Sequence, residues 1–335
     1  MMNPTVRVDE RSCLKTAELL KQLHLRKSFY ERPFLRISAP DEIRLRGYFY
    51  SVAICHQTYQ LQNKKLNLFG WDYLEYVFTI LMANENSLLS PGSLSKMPVD
   101  DLQAKLALLF SPDGLIQNST LDRLEERSKM LIELDKFLET SFQSSLLNFV
   151  ETTGSKLLNA GNGFYESLPL IQAFADPLRK KTTFLLKLLE EAGMLSIRDP
   201  ENFIPIMDYH MQRVLLRIGC VRTEDHELHH KLVSRTPIKH DTEIRKACIE
   251  AFRIISGVSG HVVTKMNDFF WSLGRSCCNE SPLCQAGQCE KDPCTFFEIV
   301  ELEEHKECYF KSECKGYTDR NFRDLWQPII ETHFY

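Results

Sequence analysis

The feature that most limits how this chain can fold is a cluster of cysteines in its last quarter. Seven of the 11 cysteines lie between Cys277 and Cys314. The first residues, MMNPTVRVDERSCLK, are polar and charged, and no stretch approaches the roughly 18 uninterrupted apolar residues of a membrane span. We therefore expect a cytoplasmic protein without a membrane segment, in which thiols stay reduced. In that compartment a dense cysteine cluster indicates a metal or iron–sulfur site rather than disulfides.

The rest of the chain has the pattern of an all-α protein. Glycine and proline number only 14 each among 335 residues, and so few turn-forming residues favour long helices over many short strands. Apolar residues recur at three- and four-residue spacing, and no alternating run is long enough to predict a sheet. The segments with helical spacing are 10–30, 43–60, 70–84, 120–150, 178–192, 209–218, 241–256 and 261–275.

Charge and motifs exclude several classes of function. The net charge is -4, so nucleic-acid binding would need a local basic patch. GxGxxG, GxxxxGK[ST] and GxSxG are all absent, which leaves dinucleotide, P-loop and nucleophile-elbow chemistry without support.

The segment from His226 to His230 (HELHH) matches HExxH, which on a helix can bind zinc. The strand scaffold of such peptidases is not visible, so we favour a solvated, histidine-rich helix start.

A carboxylate stands where an apolar loop meets an amphipathic helix. Asp208 follows Ile204-Pro205-Ile206-Met207 and precedes the helix predicted over 209–218. Free N–H groups and the helix dipole stabilise a carboxylate at such a position. Asp208 is therefore either an N-cap without chemistry or a carboxylate held in place for catalysis.

The segment from Asp208 to Arg217 reads D-x-H-x-x-R-V-x-x-R. It resembles the pattern around the catalytic aspartate of helix-hairpin-helix DNA glycosylases of the endonuclease III type. Residues 176–184 (DPLRKKTTF) are similar to the helix start of archaeal 8-oxoguanine DNA glycosylase, in which a lysine forms a Schiff base with the sugar. Residues 274–278 (GRSCC) are similar to the entry of the glycosylase iron–sulfur loop, and 308–314 to its last gap. The glycine-rich hairpin that grips a DNA phosphate in those enzymes is replaced here by DPLR at 176–179.

A second resemblance covers more of the chain, from about Phe69 to Tyr335. The order of short motifs is similar to that of the queuosine salvage proteins, helical relatives of DNA glycosylases that hydrolyse queuosine 5'-monophosphate to queuine. The cysteine-rich loop is foreign to that family, and His210 stands where the family has an arginine. The matching segments are Gly70 to Leu74, Pro98 to Leu102, Leu124 to Arg127, Phe142 to Phe149, Lys180-Lys181, Met207 to Tyr209, Gln212 to Gly219, Glu243 to Arg245, Asp268 to Trp271 and Thr332 to Tyr335.

Together the resemblances imply an all-α, DNA-glycosylase-like bundle of two helical lobes. They imply an N-terminal helical domain over 1–160, a glycosylase-like core over 161–275, and a cysteine-rich cluster loop with the C-terminal tail over 276–335.

The favoured function is hydrolysis of the N-glycosidic bond of queuosine 5'-monophosphate or another modified purine-like nucleotide. The alternatives are a DNA base-excision glycosylase or lyase of the 8-oxoguanine type, and a non-catalytic iron–sulfur protein that binds nucleic acid. The sequence leaves the oligomeric state open.

Both resemblances imply that Asp208 is the catalytic carboxylate. Lys181 would attack the sugar in a lyase, or bind the 5'-phosphate near a helix start in a nucleotide hydrolase; the alternative is a solvated lysine in a basic run. For the segment around Trp71, packing between helices is an equal alternative to substrate contact. The candidates for substrate binding are His56, Trp71, Asp72, Lys180, Tyr209, His210, Asp268 and Trp271.

The cysteine cluster is predicted to bind a [4Fe–4S] cluster through four thiolates. Zinc in a four-cysteine site is the alternative, and free structural thiols are the third interpretation. A structural role is favoured, because hydrolysis of a glycosidic bond needs no electrons. The best ligand candidates are Cys277 or Cys278, Cys284, Cys308 and Cys314, with Cys289 and Cys294 as competitors.

Overall fold

A computed structural model describes residues 5–290 and 294–335 of the chain. Helices account for 55% of the residues and strands for 4%, which confirms the predicted all-α class. Within the described ranges, none of the helices combines the length and the apolar character needed to cross a lipid bilayer. The chain forms two compact units.

The first unit comprises Met1–Phe29 and Ile204–Glu331. Its two strands, Val6–Val8 and Val221–Thr223, pair antiparallel. A π-helical turn, Leu273–Cys277, leads into the cysteine-rich segment. The α-helices of this unit are Glu10–Leu20, Tyr209–Ile218, His226–Val233, Thr242–Ser259, Val263–Ser272, Leu283–Ala286, Thr295–Ile299, Lys315–Thr318 and Arg320–Arg323.

An aromatic cluster forms part of the core of the first unit. The Phe269 ring packs edge-on against the rings of Phe296, Tyr309 and Phe310, with centroids 5.4 to 5.6 Å apart. Phe269 lies on the helix Val263–Ser272, and its partners lie in the cysteine-rich segment. The cysteine-rich segment is therefore part of the packed core of this unit, and burial of such large rings supplies much of the local stability.

The second unit comprises Tyr30–Phe203 and Thr332–Tyr335. Its interior contains an ion pair between Arg46 Nη1 and Asp135 Oδ1 at 2.6 Å, and both side chains are fully buried. Two strands, Gln62–Asn63 and Leu68–Phe69, form a short hairpin. The α-helices of this unit are Asp41–Ala53, Trp71–Ala83, Val99–Leu109, Leu124–Phe142, Leu146–Thr153, Phe164–Ser167 and Lys180–Glu191.

The two units divide the chain differently from the segments 1–160, 161–275 and 276–335 proposed from the sequence. The N-terminal helix Glu10–Leu20 packs on the helix Thr242–Ser259 of the same unit. The last four residues belong to the second unit, where the Thr332 N–H donates to Gln57 Oε1 at 3.3 Å. These contacts join residues more than 200 positions apart, and such pairings leave no local signal in a sequence.

Candidate functional site

Asp208 caps the helix Tyr209–Ile218 and is buried at its start. Its Oδ1 accepts the Met211 N–H at 3.0 Å, the bond expected of an N-cap. Its Oδ2 lies 3.4 Å from His210 Nδ1. Burial lowers the pKa of His210, and the hydrogen bond to Asp208 opposes that shift. The carboxylate therefore combines a capping bond with a contact to a titratable ring.

Two contacts fix the position of Asp208 and His210. Asn267 Oδ1 accepts the Ile206 N–H at 3.3 Å, and its Nδ2 donates to Ile206 O at 3.1 Å. A Cβ added at Gly274 would lie 2.8 Å from His210 Cβ, so the backbone can approach His210 this closely only at a glycine. The helix Val263–Ser272 and the π-helical turn after it thus hold the Asp208 segment in place.

The two arginines of the D-x-H-x-x-R-V-x-x-R pattern bind the backbone of the cysteine-rich segment. Arg213 donates from Nε to Cys278 O at 2.6 Å and from Nη2 to Gly274 O at 2.6 Å. Arg217 Nη1 donates to Asn279 O at 2.7 Å. Charge-assisted bonds of this kind are stronger than neutral ones. The helix that begins at Asp208 therefore also positions the first cysteines of the cluster.

The five cysteines predicted as metal ligands line one cavity of about 20 Å³. They are Cys277, Cys278, Cys284, Cys308 and Cys314. Burial, assisted by Cys278, raises the pKa of the Cys308 thiol and raises that of Cys314 to about 12. Thiols in this state are protonated at neutral pH, so a bound metal would have to displace their protons. The donor set and its shared cavity fit a metal centre with several thiolate ligands.

Cys277, which lines this cavity, also lies beside a second group of side chains that could hold a metal ion. The ligand atoms of Cys289, Cys294 and His305 all lie within 4.8 Å of one another and could hold a metal ion. In the part of the chain that the structure describes, no other set of three or more Cys, His, Asp or Glu side chains is this compact. Cys277 Sγ lies 3.2 Å from His305 Nε2, and hydrogen bonds from Cys277 and His305 lower the pKa of Cys294.

Lys181 is fully buried beside His56 in the second unit. Its Nζ donates to Ala53 O at 2.7 Å and lies 3.1 Å from His56 Nδ1. Burial lowers the pKa of Lys181 to about 7. Burial and the charge of Lys181 lower the pKa of His56. The interpretation of Lys181 as a solvated lysine is therefore wrong, and two predicted site residues are in direct contact.

The start of the helix Lys180–Glu191 is held by a carboxylate of the chain itself. Asp176 Oδ1 accepts the Leu178 N–H at 3.0 Å, and Oδ2 accepts the Lys180 N–H at 2.9 Å. The Lys180 ammonium lies 3.8 Å from Cys55 Sγ and 5.3 Å from the Phe184 ring centroid. Asp176 thus uses two N–H groups that could otherwise bind a phosphate at this helix start.

Trp71 packs inside the second unit. Its Nε1 donates to Glu75 Oε2 at 2.7 Å, and its ring meets the edge of Phe184 at a centroid distance of 4.8 Å. Asp72 is half-buried in the first turn of the same helix, Trp71–Ala83. These contacts favour the packing interpretation of Trp71.

The remaining candidates for substrate binding lie in the first unit. The Tyr209 ring lies 4.2 Å from the His210 ring. Asp268 is buried and Trp271 half-buried, and the Arg275 guanidinium lies 5.2 Å from the Trp271 ring centroid. His56, Trp71, Asp72, Lys180 and Lys181 belong to the second unit, and Asp208, Tyr209, His210, Asp268 and Trp271 to the first.

The HExxH match lies on the helix His226–Val233, and its first and last histidines are exposed. Glu227 Oε1 accepts a hydrogen bond from Lys231 Nζ at 2.6 Å. Neither His226 nor His230 joins a compact group of metal-binding side chains among the described residues. The solvated helix start favoured from the sequence accounts for this motif.

Two residues that matter to these arrangements, Asn267 and His305, are absent from the candidates chosen by sequence. His305 stands three residues before Cys308, and a histidine inside a cysteine-rich segment is a recognisable zinc-ligand signal. Asn267 has no comparable signal, because its role depends on a loop 61 residues away in the chain.

No protein-family model and no curated protein sequence matches the chain.

Proposed function

We propose that the chain is an N-glycosidase that hydrolyses the N-glycosidic bond of a modified purine-like nucleotide, with queuosine 5'-monophosphate as the favoured substrate. The observation that carries this proposal is the buried Asp208 carboxylate, whose Oδ2 lies 3.4 Å from His210 Nδ1. Asn267 holds the loop before it through two hydrogen bonds to Ile206. A carboxylate fixed in this way is preorganised, as electrostatic stabilisation of a transition state requires.

The reaction suits a single fixed carboxylate. Cleavage of the bond between C1' and the base nitrogen builds positive charge on the sugar, as in glycoside hydrolysis. Asp208 would stabilise that charge, or accept a proton from the water that attacks C1'. His210 is a positioning residue in this scheme, because it contacts the carboxylate oxygen that does not cap the helix.

A free nucleotide is favoured over duplex DNA as the substrate. In the resembling DNA glycosylases a glycine-rich hairpin offers backbone N–H groups to a DNA phosphate, and here Asp176 uses the N–H groups of Leu178 and Lys180. A carboxylate in that place repels a phosphate instead of binding it. The net charge of -4 also gives no general attraction to a polyanion.

We further propose that Cys278, Cys284, Cys308 and Cys314 hold a [4Fe–4S] cluster with a structural role. The support is their shared cavity and the two arginines, which bind Cys278 O and Asn279 O from the Asp208 helix. In such a cluster each thiolate binds a different iron, so the sulfurs lie further apart than around a single zinc ion. Zinc held by four cysteines is the alternative, and the iron and zinc content of the purified protein distinguishes the two.

A DNA glycosylase that is also a lyase is the second candidate, and one observation favours it. A lysine nucleophile must be neutral to attack the sugar, and burial lowers the pKa of Lys181 to about 7. At that value a substantial fraction of the amine is unprotonated at neutral pH. The same property weakens Lys181 as a permanent cation for a 5'-phosphate.

The test is to incubate the purified full-length protein in parallel with queuosine 5'-monophosphate and with a duplex that contains 8-oxoguanine. We expect release of queuine and no strand cleavage. Asp208→Asn should slow that release by ~10²-fold or more, because the charged carboxylate is lost. The fold should be kept, since asparagine caps a helix about as well as aspartate.

Asp225→Asn is the matched control. Asp225 caps the helix His226–Val233 of the same unit by accepting the Leu228 N–H at 2.7 Å, and its replacement should leave turnover unchanged. Strand cleavage with a borohydride-trapped adduct that disappears in Lys181→Met would replace the first proposal by the second. Turnover of neither substrate would favour a non-catalytic iron–sulfur protein that binds nucleic acid.

A further inference from the structure

Cys289, Cys294 and His305 form a compact group in the cysteine-rich segment, and Cys277 lies beside that group. Cys289 Sγ lies 3.7 Å from Cys294 Sγ, and Cys277 Sγ lies 3.2 Å from His305 Nε2. The ligand atoms of Cys289, Cys294 and His305 are all within 4.8 Å of one another. Two sulfurs and one imidazole nitrogen thus lie close together, and the Cys277 thiol is placed to supply a fourth ligand.

These separations suit one small tetrahedral ion. Zinc binds thiolates at about 2.3 Å, so two sulfurs on one tetrahedral zinc lie about 3.8 Å apart. The observed 3.7 Å between Cys289 Sγ and Cys294 Sγ matches that separation. Three cysteines and one histidine also form a closed ligand set typical of structural zinc sites.

The surrounding structure gives such an ion a role. Cys277 ends the π-helical turn Leu273–Cys277, whereas Cys294 directly precedes the helix Thr295–Ile299. The His305 ring stacks on Phe297 with centroids 6.3 Å apart and planes 13° apart. An ion bound here would tie separate points of the loop to one centre, and its binding free energy would add to the stability of the folded loop.

We propose that Cys277, Cys289, Cys294 and His305 bind one structural zinc ion, at a site separate from the four thiols assigned to the iron–sulfur cluster. This assignment also divides the adjacent pair of cysteines, with Cys277 at the zinc site and Cys278 at the cluster. It does not depend on the proposed glycosidase activity, because metal content is measured without a substrate.

The test is the zinc and iron content of the full-length protein, purified without oxygen and measured by mass spectrometry together with the visible absorption of the cluster. The wild type should contain one zinc per chain in addition to its iron. Cys289→Ser should lose most of the zinc and keep the iron, and Cys308→Ser should show the opposite loss. Cys248→Ser, at a buried cysteine of the helix Thr242–Ser259, should keep both metals.

A wild-type chain that contains iron but no zinc would overturn the proposal, and so would a Cys289→Ser protein that keeps its zinc. Because a lost structural ion can unfold the loop, a second measurement uses the unmodified chain. Cobalt(II) exchanged for zinc should give the visible spectrum of a tetrahedral site with three thiolates and one imidazole. A cobalt spectrum without thiolate charge-transfer bands would also contradict the assignment.

Discussion

Each unit of the molecule places a charged side chain at the Nδ1 atom of a buried or half-buried histidine, and these two Nδ1 partners have opposite sign. His56 Nε2 also lies 3.7 Å from Glu126 Oε1. In the first unit His210 Nδ1 lies 3.4 Å from Asp208 Oδ2, and in the second His56 Nδ1 lies 3.1 Å from Lys181 Nζ. Burial lowers the pKa of both rings. The carboxylate opposes that shift at His210, whereas the ammonium adds to it at His56.

This difference shows what each pair can do. The His210 ring contacts the carboxylate, so the first pair can keep a charged oxygen in place next to a developing positive charge. The second pair keeps the ring neutral and leaves an amine with a pKa of about 7. Only the first pair suits hydrolysis through an oxocarbenium-like state, and only the second suits covalent attack by an amine.

The largest expected effect is on the pH dependence of stability in Lys181→Met. The pKa of Lys181 is about 7 in the folded chain, against an ordinary value of 10.5. Between these values the unfolded chain binds the extra proton, so this lysine makes the free energy of unfolding rise with pH. The free energy of unfolding of the wild type should therefore rise relative to that of the variant by at most about 1.4 kcal/mol per pH unit. From pH 7 to pH 10 the difference amounts to roughly 4 kcal/mol.

Urea unfolding of both proteins at several pH values measures this difference, in which the groups that titrate alike in both proteins cancel. Lys136→Met, at an exposed lysine of the helix Leu124–Phe142, is the control and should run parallel to the wild type. If the free energy of unfolding of Lys181→Met also changes with pH as that of the wild type does, Lys181 is an ordinary charged lysine and the contrast between the two pairs fails.

Gly274→Ala should disturb the first pair and leave the second intact. The new Cβ would lie 2.8 Å from both Cβ and O of His210, and overpacking of this kind costs about 1–3 kcal/mol. Gly257→Ala is the matched control on the helix Thr242–Ser259, where an added Cβ meets no atom of the described residues within 4 Å. The control should be neutral or stabilising by up to about 1 kcal/mol. Equal midpoints of urea unfolding for the two variants would show that His210 is not held by this close approach.

How much of this could be predicted depends on how local the determinants are. The helix predicted over 209–218 is observed as Tyr209–Ile218, because its start at Asp208 and its stop at Gly219, with φ of 92°, are both local signals. The helix predicted over 10–30 ends instead at Leu20. There the Arg26 N–H donates to Ile299 O at 2.7 Å, and a pairing so distant in sequence overrides the apolar spacing.

The sequence also could not predict how the cysteines divide between two groups. Cys277 and Cys278 are neighbours, and spacing alone gives them the same chances as ligands. In the structure Arg213 binds the carbonyl of Cys278, while the Cys277 thiol faces His305 across 28 positions of chain. The path of the loop decides which thiol lies in which group, whereas the prediction of a metal site needs only the density of cysteines.

The smallest expected effect is also the most direct test of the two pairs, since the two changes in pKa should have opposite signs. Asp208→Asn removes the carboxylate that opposes burial, so the pKa of His210 should fall further. Lys181→Met removes a positive charge, so the pKa of His56 should rise. Histidine-selective NMR titration of the full-length protein measures both rings, and each pKa unit corresponds to about 1.4 kcal/mol of interaction. If both values move in the same direction, burial alone governs the two rings and their charged partners do not distinguish them.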